Sequence, residues 1–199
     1  SVENLDDLGD MLLAFQCSKP TTGNRVGLYG GGGGRSVESA DSCEHEGLIV
    51  EPIPNQMREE FKRLGSPFWD WISNPVDGSI LSGVGLDQGT LIKLLADSPK
   101  FDLFITSASE LWNSHTPEGL DRLMQMTHSF IDIGSSLSKP LAMVMNDTVA
   151  EFSWQNDAMT QARRRATELG VPMFPSIRRA ARAMSRLAYY FRNRDQSIT

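Results

Sequence analysis

The stretch RVGLYGGGGGRSVESADSCEHEGL, residues 25–48, decides the fold, because an apolar run meets five consecutive glycines and then a helical pattern. A flexible tether would have polar linker residues on both sides, but here Gly30–Gly34 lie directly between the two patterned segments. Apolar side chains then recur on one helix face at Val37, Ala40 and Cys43. Gly47 predicts the C-terminal stop of that helix. The stretch therefore predicts a strand–loop–helix junction.

Outside this junction, short apolar runs continue to alternate with helical stretches. The spacing predicts helices over 2–15, 36–46, 55–64, 87–97, 118–134, 156–168 and 176–192. It predicts strands over 25–29, 48–50, 101–106, 141–145 and 171–174. Such alternation is typical of right-handed βαβ crossovers with helices on both faces of a parallel sheet. We expect an α/β, flavodoxin-like three-layer domain with a five-stranded parallel sheet of order 2-1-3-4-5.

Pro and Gly in the segment 17–24 interrupt both regular structures. We therefore expect residues 1–22 to form an N-terminal helix and linker, and residues 23–199 to form the flavodoxin-like domain.

Composition excludes several classes of protein. A net charge of -6 argues against general nucleic-acid binding, and no apolar run approaches the length of a membrane helix. The acidic N-terminus lacks the basic start of a secretory signal. Cys17 and Cys43 have no metal or redox spacing, which favours a reduced, cytoplasmic protein.

Charge is distributed unevenly along the chain, with nine arginines and four acidic residues from Ala150 onward. This pattern is typical of a solvated helix face, and the alternative is a docking surface for an acidic partner.

The glycine loop follows the carboxyl end of the first strand, where open α/β sheets bind their ligands. Glycines let backbone N–H groups approach an anion, and the following helix N-terminus adds unsatisfied donors. Arg35 and Ser36 would add a charge and a hydroxyl. We expect a phosphate-binding site formed by Gly31, Gly32, Gly33, Gly34, Arg35 and Ser36. The alternative is a loop that only requires tight packing.

Neither common nucleotide motif fits the glycine run. A G-x-G-x-x-G fingerprint fails in every register, and a Walker A loop fails at Tyr29 and at Arg35. A dinucleotide stays a minor alternative, because Glu51 follows the second predicted strand, where an acid could bind a ribose hydroxyl.

Four segments together resemble NDP-forming acyl-CoA synthetases, a family related to succinyl-CoA synthetase. They are GNRVGLYGGGGGRSVESADSCEHEGL, NPVDGS (74–79), KPLAMVM (139–145) and ELGVPMFPSIRRAARAMSRLAYY. The resemblance covers nearly the whole chain and corresponds to the second flavodoxin-like CoA-ligase domain. In this family an acid, CoA and a nucleoside triphosphate give acyl-CoA through an acyl phosphate and a phosphohistidine relay. It implies that the glycine loop stabilises the phosphoryl group near the phosphohistidine of a partner domain.

The family's relay histidine lies in an S-H-T-G stretch of the other ligase domain, which this chain does not contain, so we assign it no catalytic residue. ATP or GTP, Mg and CoA are implied for the complete enzyme, with none bound by this chain alone. The implied partners are CoA-binding, phosphohistidine and nucleotide-grasp domains of the same polypeptide or complex. The alternatives are a non-catalytic interaction or regulatory module that retains the fold, and a free-standing nucleotide-binding protein.

Three further residues are candidates for lining the anion site. In NPVDGS, Pro75 predicts a turn in which Asn74 and Asp77 bond backbone groups, or else face the anion. His115 lies in S-H-T-P, but Thr116 and Pro117 predict a helix N-cap and first helical residue there. We therefore expect a passive, anion-facing role for His115 at most, and no covalent one.

The remaining aromatic and histidine residues indicate packing or solvation. Phe68, Trp69 and Trp71 favour packing under a loop, with a hydrophobic lip or domain contact as the alternative. His45 is expected in solvent and His128 in a packed helix face. Three histidines without nearby ligands at suitable spacing make a metal site improbable.

Overall fold

A computed structural model describes residues 2–78, 87–108, 116–145 and 153–196. Its helices are α1 (Leu5–Cys17), α2 (Gly33–His45), α3 (Asn55–Arg63), α4 (Gln88–Asp97), α5 (Pro117–Ser136), α6 (Ser153–Glu168) and α7 (Ile177–Gln196). Its strands are β1 (Val26–Tyr29), β2 (Leu103–Ser107), β3 (Leu141–Val144) and β4 (Met173–Phe174). The strands form one parallel sheet in the order β1-β2-β3-β4.

The predicted helices are confirmed, and local chemistry explains where several of them begin and end. The side chains of Asn4, Asp87 and Thr116 accept backbone N–H groups at the starts of α1, α4 and α5. Thr116 and Pro117 have the predicted N-cap and first-turn positions of α5. At the end of α2, Gly47 has a φ of +86° and the Leu48 N–H donates to the Cys43 carbonyl, as in a Schellman motif.

The expected fifth strand is wrong. Residues 48–50 make only an isolated parallel bridge, from Ile49 to Arg25 at the outer edge of β1. The Schellman motif turns the chain just before Leu48, and Pro52 cannot donate a ladder hydrogen bond after it. Within the described ranges the sheet therefore has four strands, with Ile49 beside its β1 edge.

Side chains on the strands alternate between two cores, one on each face of the sheet. On one face, Tyr29, Phe104 and Met143 pack with buried residues of α3, α4, α5 and α6. On the other, Leu28, Ile105 and Val144 pack with buried residues of α1, α2 and α7. This period-two alternation produces helix, sheet and helix layers, with each of the four strands contributing to both cores.

Ion pairs attach α1 to α7. Asp10 accepts Arg179 Nε at 2.6 Å and Nη2 at 2.9 Å, and Asp7 accepts Arg186. Glu46, just after α2, accepts Arg182 twice at 3.1 Å. The arginines of α7 therefore do bind acidic groups, but these acidic groups belong to the chain itself.

The segment between α1 and β1 is also attached to the domain. Lys19 Nζ donates to the Ser135 carbonyl at 2.9 Å, near the end of α5. Thr21 Oγ1 donates to the carbonyls of Gly23 and Asp102, both at 3.3 Å. The predicted division at residue 22 stays a prediction. Within the described ranges, no helix is long and apolar enough to cross a membrane.

Candidate anion-binding site

The glycine loop turns the chain from β1 into α2 in three residues. Gly30 has a φ of +101° and Gly31 one of +82°, values that side-chain-bearing residues rarely adopt. A Cβ at Gly30 would lie 2.4 Å from the Ser107 carbonyl oxygen at the end of β2. Glycine is therefore required at position 30 by both its conformation and its close approach to β2.

The start of α2 differs from those of α1, α4 and α5. Its N-cap is Gly32, with extended φ and ψ of -95° and 176° and no side-chain capping bond. A Cβ at Gly32, Gly33 or Gly34 would have no described atom within 4 Å. The first backbone N–H groups of a helix have no intrahelical acceptor. At the start of α2, these groups belong to exposed glycines that no neighbouring side chain crowds.

Two side chains follow the loop within the first turn of α2. Arg35 and Ser36 are both half-buried. Ser36 Oγ is buried and has no hydrogen-bond partner among the described residues. The sequence-predicted group Gly31–Ser36 is thus a continuous turn of backbone with one guanidinium and one hydroxyl.

The outer edge of β1 is covered in pieces beside this loop. Three successive outward N–H groups find different acceptors: Val26 donates to the Ile49 carbonyl, Leu28 to Asn74 Oδ1 and Gly30 to the Val76 carbonyl. These bonds measure 2.9, 2.9 and 3.1 Å in that order. The edge next to the glycine loop is therefore covered by the NPVDG segment, residues 74–78, which contains the Asn74–Pro75 cis peptide.

Asn74 bonds backbone groups, as predicted, but these belong to β1 and to Glu51 and not to its own turn. Its Nδ2 donates to the Val26 carbonyl at 2.8 Å and to the Glu51 carbonyl at 2.9 Å. Proline after asparagine in an apolar context signals a rigid loop, but it does not reveal which strand that loop binds.

The same segment places Gly78 against the loop. A Cβ at Gly78 would lie 3.4 Å from Tyr29 Oη and 4.0 Å from Gly30 Cα. Asp77, half-buried, precedes it directly. The structure therefore brings the NPVDG segment and the glycine loop together, as the lining hypothesis for Asp77 requires. His115 lies outside the described residues.

The other residues singled out in the sequence have ordinary environments. Glu51 forms an ion pair with Lys100 at 3.7 Å. Trp69 packs partly against the core under Lys62, whereas Phe68 and Trp71 are 41% and 73% exposed. His45 is exposed and His128 half-buried. Among residues that the structure describes, no group of three His, Cys, Asp or Glu side chains could hold a metal ion.

Comparison with known proteins gives a consistent set of relatives. The chain is 33% identical over 101 residues to subunit alpha of the ADP-forming acetate–CoA ligase II of Pyrococcus furiosus. That match covers 51% of this chain and 21% of the relative. This chain is therefore similar, over about half of its length, to part of an ADP-forming acetate–CoA ligase subunit. No protein-family model matches the chain.

Solved structures show that the fold of this chain recurs in larger proteins. PH0766 of Pyrococcus horikoshii OT3 superposes with a TM-score of 0.66 at 21% identity, over 94% of this chain and 40% of that one. Apo dinucleotide-forming acetyl-coenzyme A synthetase 1 of Candidatus Korarchaeum cryptofilum gives 0.63 at 21% identity, over 98% and 39%. Its complex with phosphate and ADP gives 0.62. The chain thus spans less than half the length of each of these proteins.

Proposed function

We propose that the chain acts as the second flavodoxin-like ligase domain of an NDP-forming acyl-CoA synthetase. In this proposal, Gly31–Ser36 and the N-terminus of α2 bind the phosphoryl group while it is carried by the phosphohistidine of a partner domain. Asp77, and His115 in a passive role, would line the same site.

The observation that carries the proposal is the uncapped start of α2 at the carboxyl end of β1. Gly32 offers no side-chain oxygen to the first N–H groups of α2, and Gly32–Gly34 leave space for an external acceptor. A helix N-terminus of this kind favours an anion through both its free donors and its dipole. Arg35 adds a fixed positive charge to the same turn.

The relatives support the phosphoryl assignment independently. The Korarchaeum synthetase was solved with phosphate and ADP, and the curated relative forms ADP. This chain covers 39% of that synthetase, so the remaining domains of such an enzyme are available to bind nucleotide, Mg and CoA. The chain would then supply a charge-stabilising surface and take the relay histidine from its partner.

The test is anion binding by a loop variant with an intact fold. Gly32 already has a β-region backbone, and its Cβ would meet nothing, so Gly32→Val should fold normally. The valine side chain would occupy the place of the anion. We expect calorimetry to show phosphate binding by the wild-type chain and at least about a tenfold loss in Gly32→Val, since bound anions need close N–H contacts.

Gly9→Val is the matched control, because Gly9 is exposed in α1 and its Cβ would also have no described neighbour within 4 Å. It should leave phosphate affinity unchanged. Equal affinity in the wild type and in Gly32→Val would contradict the proposed site.

The chain alone should make no acyl-CoA from acetate, ATP, Mg and CoA. Chemistry of this kind requires the nucleotide, the relay histidine and CoA to be positioned together. We expect no thioester above background by mass spectrometry, and formation of product after addition of the missing domains. Turnover by the isolated chain would show that it holds the complete catalytic machinery.

The proposed passive role of His115 predicts its labelling pattern in the complete enzyme. After incubation with γ-labelled ATP, acid-labile phosphate should map to a partner-domain peptide. Label on the His115 peptide that disappears in His115→Ala would overturn this assignment.

A further inference from the structure

Asn74 replaces a strand residue at the outer edge of β1. Its Oδ1 accepts the Leu28 N–H at 2.9 Å and its Nδ2 donates to the Val26 carbonyl at 2.8 Å. These are the two bonds that the N–H and C=O groups of a single residue in a parallel neighbouring strand would make. A second bond from Nδ2, to the Glu51 carbonyl at 2.9 Å, holds the segment after Ile49 as well.

The pairing continues from Asn74 into the glycine loop. Two residues later, the Val76 N–H donates to the Leu28 carbonyl at 2.8 Å, and the Val76 carbonyl accepts the Gly30 N–H at 3.1 Å. Gly30 is the first loop residue and has the φ of +101° that starts the turn toward α2. The side-chain amide of Asn74 therefore fixes the register in which the NPVDG segment meets Gly30.

We infer that Asn74 is a positioning residue, which directs the glycine loop toward its anion by holding the 74–78 segment on β1. This inference rests on the proposed function of the loop. Asn74 need not contact the anion, because its amide nitrogen and oxygen both have backbone partners on β1. Its effect would be transmitted through Val76 to the Gly30 peptide.

Sulfate is a suitable probe, because it keeps the same charge from about pH 4 to about pH 8, the range in which a carboxyl group with a raised pKa titrates. Asn74→Asp keeps the acceptor for Leu28 but, when ionised, turns a carboxylate oxygen toward the carbonyls of Val26 and Glu51. We expect sulfate affinity to fall about tenfold to a hundredfold at neutral pH, the scale of a small misplacement at a binding site.

Protonation provides a rescue that a general loss of stability would not. Once protonated, the carboxyl group introduced by Asn74→Asp can again donate to a facing carbonyl, and those carbonyl oxygens raise its pKa. Relative to the wild type, the sulfate affinity of Asn74→Asp should therefore recover as the pH falls. The protection of the Gly30 amide from hydrogen exchange should recover with it.

Asn24→Ala is the matched control. Asn24 Nδ2 donates to the Gly47 carbonyl at 2.9 Å, at the other end of the same β1 edge. Asn74→Ala should weaken sulfate binding at least about tenfold. Asn24→Ala should lower the melting temperature but leave sulfate binding unchanged. If Asn74→Ala does not fold, the pH profile of Asn74→Asp decides.

The outcomes separate the two proposals. Failure of the wild-type chain to bind sulfate or phosphate would overturn the proposed function and this inference with it. Binding by the wild type together with unchanged binding by both Asn74 variants would overturn only the positioning role. An equal loss in Asn24→Ala, or no recovery of Asn74→Asp at acid pH, would overturn it too.

Discussion

Each end of β1 presents glycine, backbone N–H donors and an arginine, but the group that accepts hydrogen bonds from them differs between the two ends. At the amino end, the Asp102 carboxylate accepts the Arg25 backbone N–H at 3.0 Å, its Nε at 2.9 Å and its Nη2 at 2.7 Å. A Cβ at Gly23 would lie 2.1 Å from that carboxylate, so glycine is needed to admit it. At the carboxyl end, Gly30 and the residues after it provide glycines, backbone donors and Arg35.

The difference between these ends is the origin of the acceptor. The amino end contains a carboxylate of the chain itself. Burial raises the pKa of Asp102, but hydrogen bonds from Arg25 outweigh this effect and hold the pKa below its usual range. The carboxyl end has no side-chain cap at Gly32. At the amino end, glycine, backbone N–H donors and an arginine thus stabilise the fold by binding a carboxylate of the chain itself. At the carboxyl end, the same combination suits an external anion.

The largest effect is expected from Gly30→Ala. An alanine there combines an unfavourable positive φ with a Cβ that would lie 2.4 Å from the Ser107 carbonyl oxygen. We expect the free energy of unfolding, measured in urea, to fall by about 3 kcal/mol. Gly32→Ala, where the Cβ meets nothing, is the control. Similar stability of the two variants would contradict the asymmetry described for this loop.

Asp102→Asn should have the next largest effect, and it should separate the two ends. The amide keeps the shape of the side chain but loses the charge that Arg25 and its backbone N–H bind. We expect a loss of about 1.5–3 kcal/mol in unfolding free energy, the range for hydrogen bonds to charged groups. Phosphate affinity should not change. A parallel loss of affinity would mean that the two ends are not independent.

A smaller effect is expected from acid, at the ion pairs that attach α1 and the end of α2 to α7. The hydrogen bond from Arg186 lowers the pKa of Asp7 from its ordinary 3.8. For Glu46, burial raises the pKa, but bonds from Arg182 and Arg178 outweigh that effect and lower it from 4.5. A lowered folded-state pKa gives stability that is present above the ordinary pKa and lost as the pH falls through the folded value.

Thermal stability should therefore fall as the pH drops below these ordinary values, with α1 released first. Asp7→Asn should reduce stability by about 1 kcal/mol at neutral pH and flatten the acid limb of the profile. The measurement is the melting temperature as a function of pH. An unchanged acid limb in Asp7→Asn would assign that limb to other carboxylates.

Local patterns were sufficient to predict the helices, the parallel sheet and the glycine junction. Helix periodicity and caps such as Thr116 are encoded within a few neighbouring residues, so they can be found without the fold. The predicted 48–50 strand was wrong because its apolar run was too short to outweigh the turn at Gly47 and the prolines that follow it. Periodicity alone does not measure that competition.

Contacts between distant residues could not be predicted in this way. Asn74 reaches Leu28 across 46 positions, and Arg179 reaches Asp10 across 169. The sequence indicated a turn at the first and a basic surface at the second, but not the partner of either. For the same reason, the sequence could place Asp77 near the glycine loop only through a family resemblance.

The patchwork along the outer edge of β1 has a consequence for self-association. An unpaired edge strand displays a row of free N–H and C=O groups, on which a strand of another molecule can add and start an aggregate. Here successive N–H groups of that row are bonded by Ile49, Asn74 and Val76. Ile49 and Val76 use their backbone carbonyls, and Asn74 uses its side chain. Because these pieces come from separate segments, the described residues form no continuous strand there that could extend the sheet into a neighbouring molecule.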